Sequence, residues 1–380
     1  MKEVFIMKTL LHQLYEFGQS PWLDYISRKI IDKGHLQRMI DNGIVGVTSN
    51  PTIFDRAIQT SNDYDPIIRE LAQKGKTKEE IYDNLTIHDI QDACDMFLPV
   101  YQQTAYKDGY VSLEVNPELA HDTNGTIQEA EKLFNLVDKP NLMIKVPATE
   151  EGFPAIESLL SQGINVNITL IFSREQYIKS ATTYLNGIEK AHLKRKNISK
   201  IASVASVFVS RLDSVIDSIL EKQINQAESD IQKSEFKALM GKAAIANGHM
   251  IYREYRNIFS LDRFRELSKE GANLQRLLWA STSTKNPNYS DIKYVEELIA
   301  RNTVNTMPED TLEAFLDHGK IENAISEDSP HDQLTLSRLD ERQIMVDDIC
   351  QQLLKDGVNK FIDSYNSLLG SIENKRKMFL

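Results

Sequence analysis

Residues 141–149 read NLMIKVPAT, a buried β-strand with one lysine near its end. Leu142, Ile144 and Val146 alternate with Met143 and Lys145, the period-two pattern of a strand whose faces meet different surroundings. An ammonium left unpaired in such a run is costly. A lysine is tolerated there if it reaches solvent, pairs with a carboxylate, or gives up its proton and serves as an amine nucleophile.

Seven further segments have strand character: PWLDYIS (21–27), GIVGVTSN (43–50), YVSLEVN (110–116), NVNITLIFS (165–173), IASVASVFVS (201–210), RLLWASTS (276–283) and ARNTVNTM (300–307). Stretches of helical period separate them. In 81–101 the apolar positions Ile81, Leu85, Ile87, Ala93, Met96, Phe97 and Val100 fall mostly three or four apart, and GTIQEAEKLFNLV repeats the pattern, with Asp122 or Thr123 as its cap and Glu129 contributing to its first turn. Strand then helix, repeated, implies a parallel α/β sheet, and eight such strands imply closure into a (β/α)8 TIM barrel. Val166, Ile168 and Leu170 oppose Asn165, Asn167 and Thr169. The polar face of each strand thus gathers toward its C-terminal end, where a barrel carries its site.

The whole chain, 1–380, reads as a single barrel domain with additional helices. A helical insertion occupies about 212–275, and 52–109 has room for at least two helices. A C-terminal helical tail occupies about 320–380. It opens on the polar loop ISEDSPHDQL and ends in an apolar stripe from Val346 to Leu369, expected to pack against the barrel wall rather than cap its mouth. Met7 is an alternative start.

Composition narrows the function. A formal net charge of −11 disfavours nucleic acid and anionic membranes as partners, so an anionic small molecule needs a local cationic pocket. Two cysteines without CxxC spacing, no leader-like h-region and no long apolar run imply a soluble, cytoplasmic protein. Nucleotide-phosphate loops, clustered histidines and the GxSxG elbow are absent, so nucleotide, metal and serine-hydrolase readings fall. Oligomeric state is not readable.

Polar residues remain at successive strand ends: Asp24, Asn50, Glu114, Lys145, Asn167, Thr169, Ser206 and Ser281. Singly, each has an ordinary reading, a helix cap for Asp24 or Asn50 and a structural ion pair for Glu114 with Lys145. As a set on one barrel they suit Schiff-base chemistry, in which a lysine attacks a ketone and carboxylates move protons. Arg211, Ser281, Ser283 and Lys285 form a second group, suited to a phosphate monoester or simply to a solvated loop.

The motifs GVTSNPTIF, SLEV, IKVPAT, NVNITLIFS, SVFVSRLDS, WASTSTKNP and NTMPEDTLEAFLDHG, in this order from about Leu10 to Leu369, resemble the longer-chain bacterial branch of the transaldolases. The resemblance implies transfer of a dihydroxyacetone unit from sedoheptulose 7-phosphate to glyceraldehyde 3-phosphate in the pentose phosphate pathway, with no metal or organic cofactor. It implies Lys145 as the Schiff-base lysine and Asp24 as the base for the carbon–carbon cleavage. Glu114 would act through a water beside Thr169. Asn50, Asn167 and Ser206 would hold the dihydroxyacetone part, and Arg211 and Ser281 the phosphate. Lys285 is the expected second cation, helped by Ser283. The related fructose-6-phosphate aldolases carry glutamine at the position of Glu114 and tyrosine at that of Phe208, so those two residues point to the transferase. A non-catalytic sugar-phosphate-binding barrel is disfavoured because Asp24, Glu114 and Lys145 are all present.

Overall fold

The computed structural model describes residues 8–326 and 330–380; the alternative start at Met7 lies outside them. Eight strands, β1 (Gln19–Leu23), β2 (Gly46–Thr48), β3 (Tyr110–Glu114), β4 (Leu142–Pro147), β5 (Val166–Ile171), β6 (Ser203–Phe208), β7 (Arg276–Ala280) and β8 (Thr303–Met307), close in sequence order into a parallel barrel. All eight expected strands are present, seven of them within narrower limits and β1 shifted two residues toward the N-terminus. β1 moves most: it pairs residue by residue with β8, from Gln19 opposite Thr303 to Leu23 opposite Met307. Pro308 and the helix Glu309–His318 end β8, so β1 loses its partner there and Asp24 lies just past the strand.

Local signals start the helices. Thr77 and Glu80 form a reciprocal capping box at the head of Lys78–Gln103. Asp122 caps Thr123–Val137 through Gly125 N–H at 3.0 Å. Glu129 contributes nothing to that first turn and pairs with Lys132 instead, one turn on at 3.4 Å. Three helices fill the segment after β2, and four lie between β6 and β7. Pro330 opens a helix to Asp340, so the end of the expected ISEDSPHDQL loop is helical. No helix among the described residues is long and apolar enough to cross a membrane.

Two departures from the sequence reading shape the site. The β5–β6 register shifts between Ile168 and Ile171, and Leu170 takes a left-handed backbone (φ 60°). Leu170 therefore leaves the strand alternation and turns to meet the C-terminal helix, Val346–Met378. That helix does not lie on the barrel wall as expected; it crosses the C-terminal mouth. Cys350 Sγ donates to Phe172 O just after β5 (3.3 Å), and Gly357 lies against Leu170. Ser364 then reaches Thr52 (2.8 Å), and Lys375 pairs with Asp65 (2.6 Å). A mid-helix glycine costs about 0.5–1 kcal/mol relative to alanine. Here a Cβ at Gly357 would sit 3.0 Å from Leu170 Cδ2, so its absence permits the close crossing.

The opposite end of the barrel is closed by a buried charge pair. Arg276, the first residue of β7, donates to Asp108 Oδ1 at 2.9 Å, and Asp108 also accepts from Ser20 Oγ (2.9 Å) and Trp22 Nε1 (3.1 Å). The Trp22 indole fills space that Gly46 leaves open, since a Cβ there would fall 2.5 Å from the ring. Asp108 is fully buried and Arg276 nearly so. Removing one partner strands the other charge in the barrel, whereas apolar replacement of both does not. Asp108→Ala should lower unfolding free energy by about 3–5 kcal/mol, and Asp108→Ala combined with Arg276→Met should recover most of it. Urea melts of the two variants check this; equal losses in both would show that the pair's charges are not what matters.

Candidate active site

The C-terminal ends of the strands surround a cavity of about 770 Å³, lined among others by Asp24, Asn50, Lys145, Thr169, Ser206, Phe208, Arg211, Ser281, Ser283 and Lys285. Ten of the twelve residues singled out from sequence thus share one space. The other two lie behind its wall. Glu114 ends β3 directly opposite Lys145 in the strand register. Asn167 sits deeper, its amide spanning Ser112 Oγ (3.1 Å, donated) and Ser206 Oγ (2.6 Å, accepted). Asn167 therefore holds Ser206 in place and is not among the residues lining the cavity.

Lys145 is 3% exposed. Its ammonium donates to Glu114 Oε2 at 3.3 Å and to the Ser49 carbonyl at 3.2 Å, and lies 5.6 Å from the centre of the Phe361 ring. Of the three tolerances open to a strand lysine, the structure shows the carboxylate pair. Two buried charges at this separation are poor evidence of stability, because desolvation offsets most of their attraction. Burial raises the Glu114 carboxyl above its ordinary range; Lys145 opposes the shift and Asp24 adds to it. Glu114 is consequently a readier proton acceptor than an exposed carboxylate.

Asp24 faces the same cavity with its carboxyl also raised by burial, an effect opposed by Lys145, by the Thr48 hydrogen bond and by Arg211 and Lys285. Thr48 Oγ1 donates to Asp24 Oδ1 at 2.7 Å and lies 2.7 Å from Thr306 Oγ1. With the Thr48 proton directed at Asp24, Thr306 supplies the other one. This threonine chain, on β2 and β8, escaped the sequence reading, since threonines in strands are ordinary. Asn50 caps the helix Pro51–Thr60 by accepting from Ile53 N–H (3.1 Å), which commits its oxygen and leaves its amide N–H groups for a ligand. Thr169 Oγ1 is buried without a hydrogen-bond partner among the described residues, a polar atom that a water or a ligand hydroxyl would satisfy.

One side of the cavity is cationic. Arg211, at the start of the helix Ser210–Gln226, stacks its guanidinium 5.2 Å above the centre of the Phe208 ring. Lys285 donates to Ser283 Oγ at 2.7 Å. Ser281 adopts a left-handed backbone (φ 56°), accepts the Ser210 N–H through its carbonyl and brings its Oγ 3.1 Å from that of Ser210. Burial lowers the Lys285 pKa, and so does repulsion from Arg211 and from Lys360. Lys360 comes from the C-terminal helix and lines the same cavity, which no sequence motif signalled. Among the described residues, none of these three cations has an ion-pair partner within 4.0 Å. No group of three or more metal-ligating side chains occurs among the described residues. Mutually repelling cations beside serine hydroxyls are the chemistry that suits a phosphate-sized anion.

The family model described as transaldolase/fructose-6-phosphate aldolase matches residues 21–372. A transaldolase of Trichodesmium erythraeum is 45% identical over 370 residues, 97% of each chain. Transaldolase 2 of Streptomyces coelicolor is 46% identical over 373 residues, 98% of each chain. Transaldolase 2 of Nostoc punctiforme is 44% identical over 372 residues, 97% of this chain and 98% of its own.

Inorganic phosphate should raise the melting temperature of the protein, because an anion relieves the cation repulsion and binds only the folded state. Arg211→Ala and Lys285→Ala should each weaken phosphate about tenfold, roughly 1.4 kcal/mol, measured by calorimetric titration. Undiminished affinity in both variants would place the anion elsewhere.

Proposed function

The chain belongs to the transaldolase/fructose-6-phosphate aldolase family, and from that premise we propose that it is a transaldolase whose covalent chemistry is carried by Lys145. The supporting observation is the buried Lys145–Glu114 pair, at the end of β3 and β4, opening on a cavity with a second carboxyl at Asp24 and cations at its other side. The substrates are sugar phosphates. The phosphate rests among Arg211, Lys285, Ser281 and Ser283, and the ketone reaches Lys145.

Glu114 takes a proton from the Lys145 ammonium, and the free amine attacks the ketone carbon of the donor sugar. The carbinolamine loses water with proton traffic through Glu114 and a water held at Thr169, giving a cationic imine. Asp24, ionised, removes the proton of the hydroxyl on the carbon beyond the bond to be broken. That bond cleaves toward the imine, which takes its electron pair as an enamine, and the aldehyde product departs. The acceptor aldehyde occupies the vacated space, the enamine carbon attacks it, and Asp24 returns its proton to the new alkoxide. Hydrolysis of the imine then releases the ketose. The amide N–H groups of Asn50 and the hydroxyl of Ser206 orient the three-carbon unit, with Asn167 fixing Ser206 from below.

Phe208 supports transfer over simple cleavage. Its ring is held between the Arg211 guanidinium and Phe172 (centroids 5.5 Å apart), and it offers no phenolic proton to quench the enamine. We further read the chain as one working unit of the cytoplasm: Cys94 and Cys350 are both buried free thiols, as suits a reducing compartment.

Borohydride added to protein with fructose 6-phosphate should leave a reduced three-carbon adduct on Lys145, mapped by peptide mass, with sedoheptulose 7-phosphate formed once erythrose 4-phosphate is supplied. Lys145→Met should fold and yield no adduct; turnover near normal in that variant would overturn the mechanism. Thr48→Val tests the base. The Thr48 hydrogen bond favours the Asp24 carboxylate, so its loss raises the Asp24 pKa and moves the acid limb of the kcat/KM profile to higher pH. An unmoved or lowered acid limb would remove Asp24 from that role.

A further inference from the structure

The barrel's own loops do not finish the cavity; the C-terminal helix does. Gly357 brings this helix against Leu170 and within 3.7 Å of Arg211 Nη1, measured from where a Cβ would stand. One turn later Phe361, 3% exposed, faces the Lys145 ammonium with its ring, and Lys360 beside it joins the cations. Around the amine the strands supply Asp24, Thr48, Thr169 and Ser206, groups that attract water. The aromatic ring is the surface that repels water from the roof side.

We propose that Phe361 shields the carbon nucleophile held on Lys145 from water, and so sets the partition between transfer to an aldehyde and release of free dihydroxyacetone. This rests on the Schiff-base reading above. The competing step is chemically simple. Water delivers a proton to the enamine carbon, forming a carbon–hydrogen bond and leaving hydroxide. Hydroxide adds to the resulting imine carbon, and the carbinolamine expels dihydroxyacetone while the nitrogen recovers the carbinol proton. One water is consumed, with no oxidation or reduction. A ring lying over the nitrogen denies water this approach, and its negative π-face favours the cationic imine over the hydrolysed amine. An aldehyde acceptor instead enters from the phosphate side, drawn by Arg211, Lys285 and Lys360.

The test supplies fructose 6-phosphate to the full-length protein with and without erythrose 4-phosphate, and measures free dihydroxyacetone against transferred product. Phe361→Ala should raise the ratio of release to transfer about tenfold, and in deuterium oxide the released dihydroxyacetone should carry one carbon-bound deuterium. Phe361→Leu, which keeps apolar bulk without the flat face, should raise the ratio less. Lys375→Gln, which frees the end of the same helix from Asp65 away from the cavity, should leave the ratio where it is, separating shielding from loosening of the helix. An unchanged ratio in folded Phe361→Ala, or in Phe361→Leu should the alanine variant not fold, overturns the proposal. An equal rise in Lys375→Gln also overturns it. Borohydride adducts on Lys145 must persist in these variants; their absence from the unsubstituted protein would instead defeat the Schiff-base reading.

Discussion

An ammonium enclosed within a parallel barrel must find oxygen partners on neighbouring strands, and meeting this demand organises the upper half of the molecule. Lys145 lies opposite Glu114 on one side and Asn167 on the other in the strand registers. A slip of one residue would turn Lys145 out of the barrel and away from Glu114. The Ser49 carbonyl supplies a further acceptor, and the Ser49 hydroxyl is itself tied to the Ser112 carbonyl at 2.7 Å. Ser112 in turn accepts from Asn167. Strands β2 to β6 are therefore linked through polar side chains inside the barrel, beneath the reacting group. At the other end Arg276 and Asp108 impose the same kind of demand without an opening to solvent, which is why one end is a site and the other a plug.

Much of this was legible because strands alternate with period two. Once eight strands were placed, parity put Asp24, Lys145, Thr169 and Ser206 on the inner face near its top. Parity does not give depth: Asn167, placed with the substrate from sequence, is hydrogen-bonded to Ser112 and Ser206 and is not among the residues lining the cavity. Parity also fails at a bulge: Leu170 was counted with the apolar face, whereas its left-handed backbone turns it toward Gly357. The helical stripe from Val346 to Leu369 gave an apolar face but no destination, and both wall and mouth would satisfy it. Lys360 and Phe361 were missed for that reason. Gly357, the residue that lets the helix lie across the mouth, was the available signal, an unfavourable residue inside a strongly amphipathic run.

The site is also a local reversal of charge. The chain carries a formal net charge of −11, yet Arg211, Lys285 and Lys360 converge on one side of the cavity with no ion-pair partner within 4.0 Å among the described residues. Screening over about 8–10 Å at ordinary ionic strength limits the reach of the distant acidic groups. A phosphate inside the mouth therefore responds mainly to the nearby cations. Their mutual repulsion is the counterpart of the buried carboxyls: both groups are held in unfavourable surroundings that a bound substrate relieves.

The crossing of the mouth by Val346–Met378 also orders events during synthesis. Every strand precedes this helix along the chain, so the ribosome delivers Lys145 and its partners well before the element that covers them. At about 5–20 residues per second, roughly ten to forty seconds separate the appearance of the amine from that of Phe361. During that interval a partly folded barrel would present a reactive lysine to whatever carbonyl compounds surround it, with no roof to govern the outcome. Docking of the last helix thus closes a window of chemical vulnerability as well as a cavity.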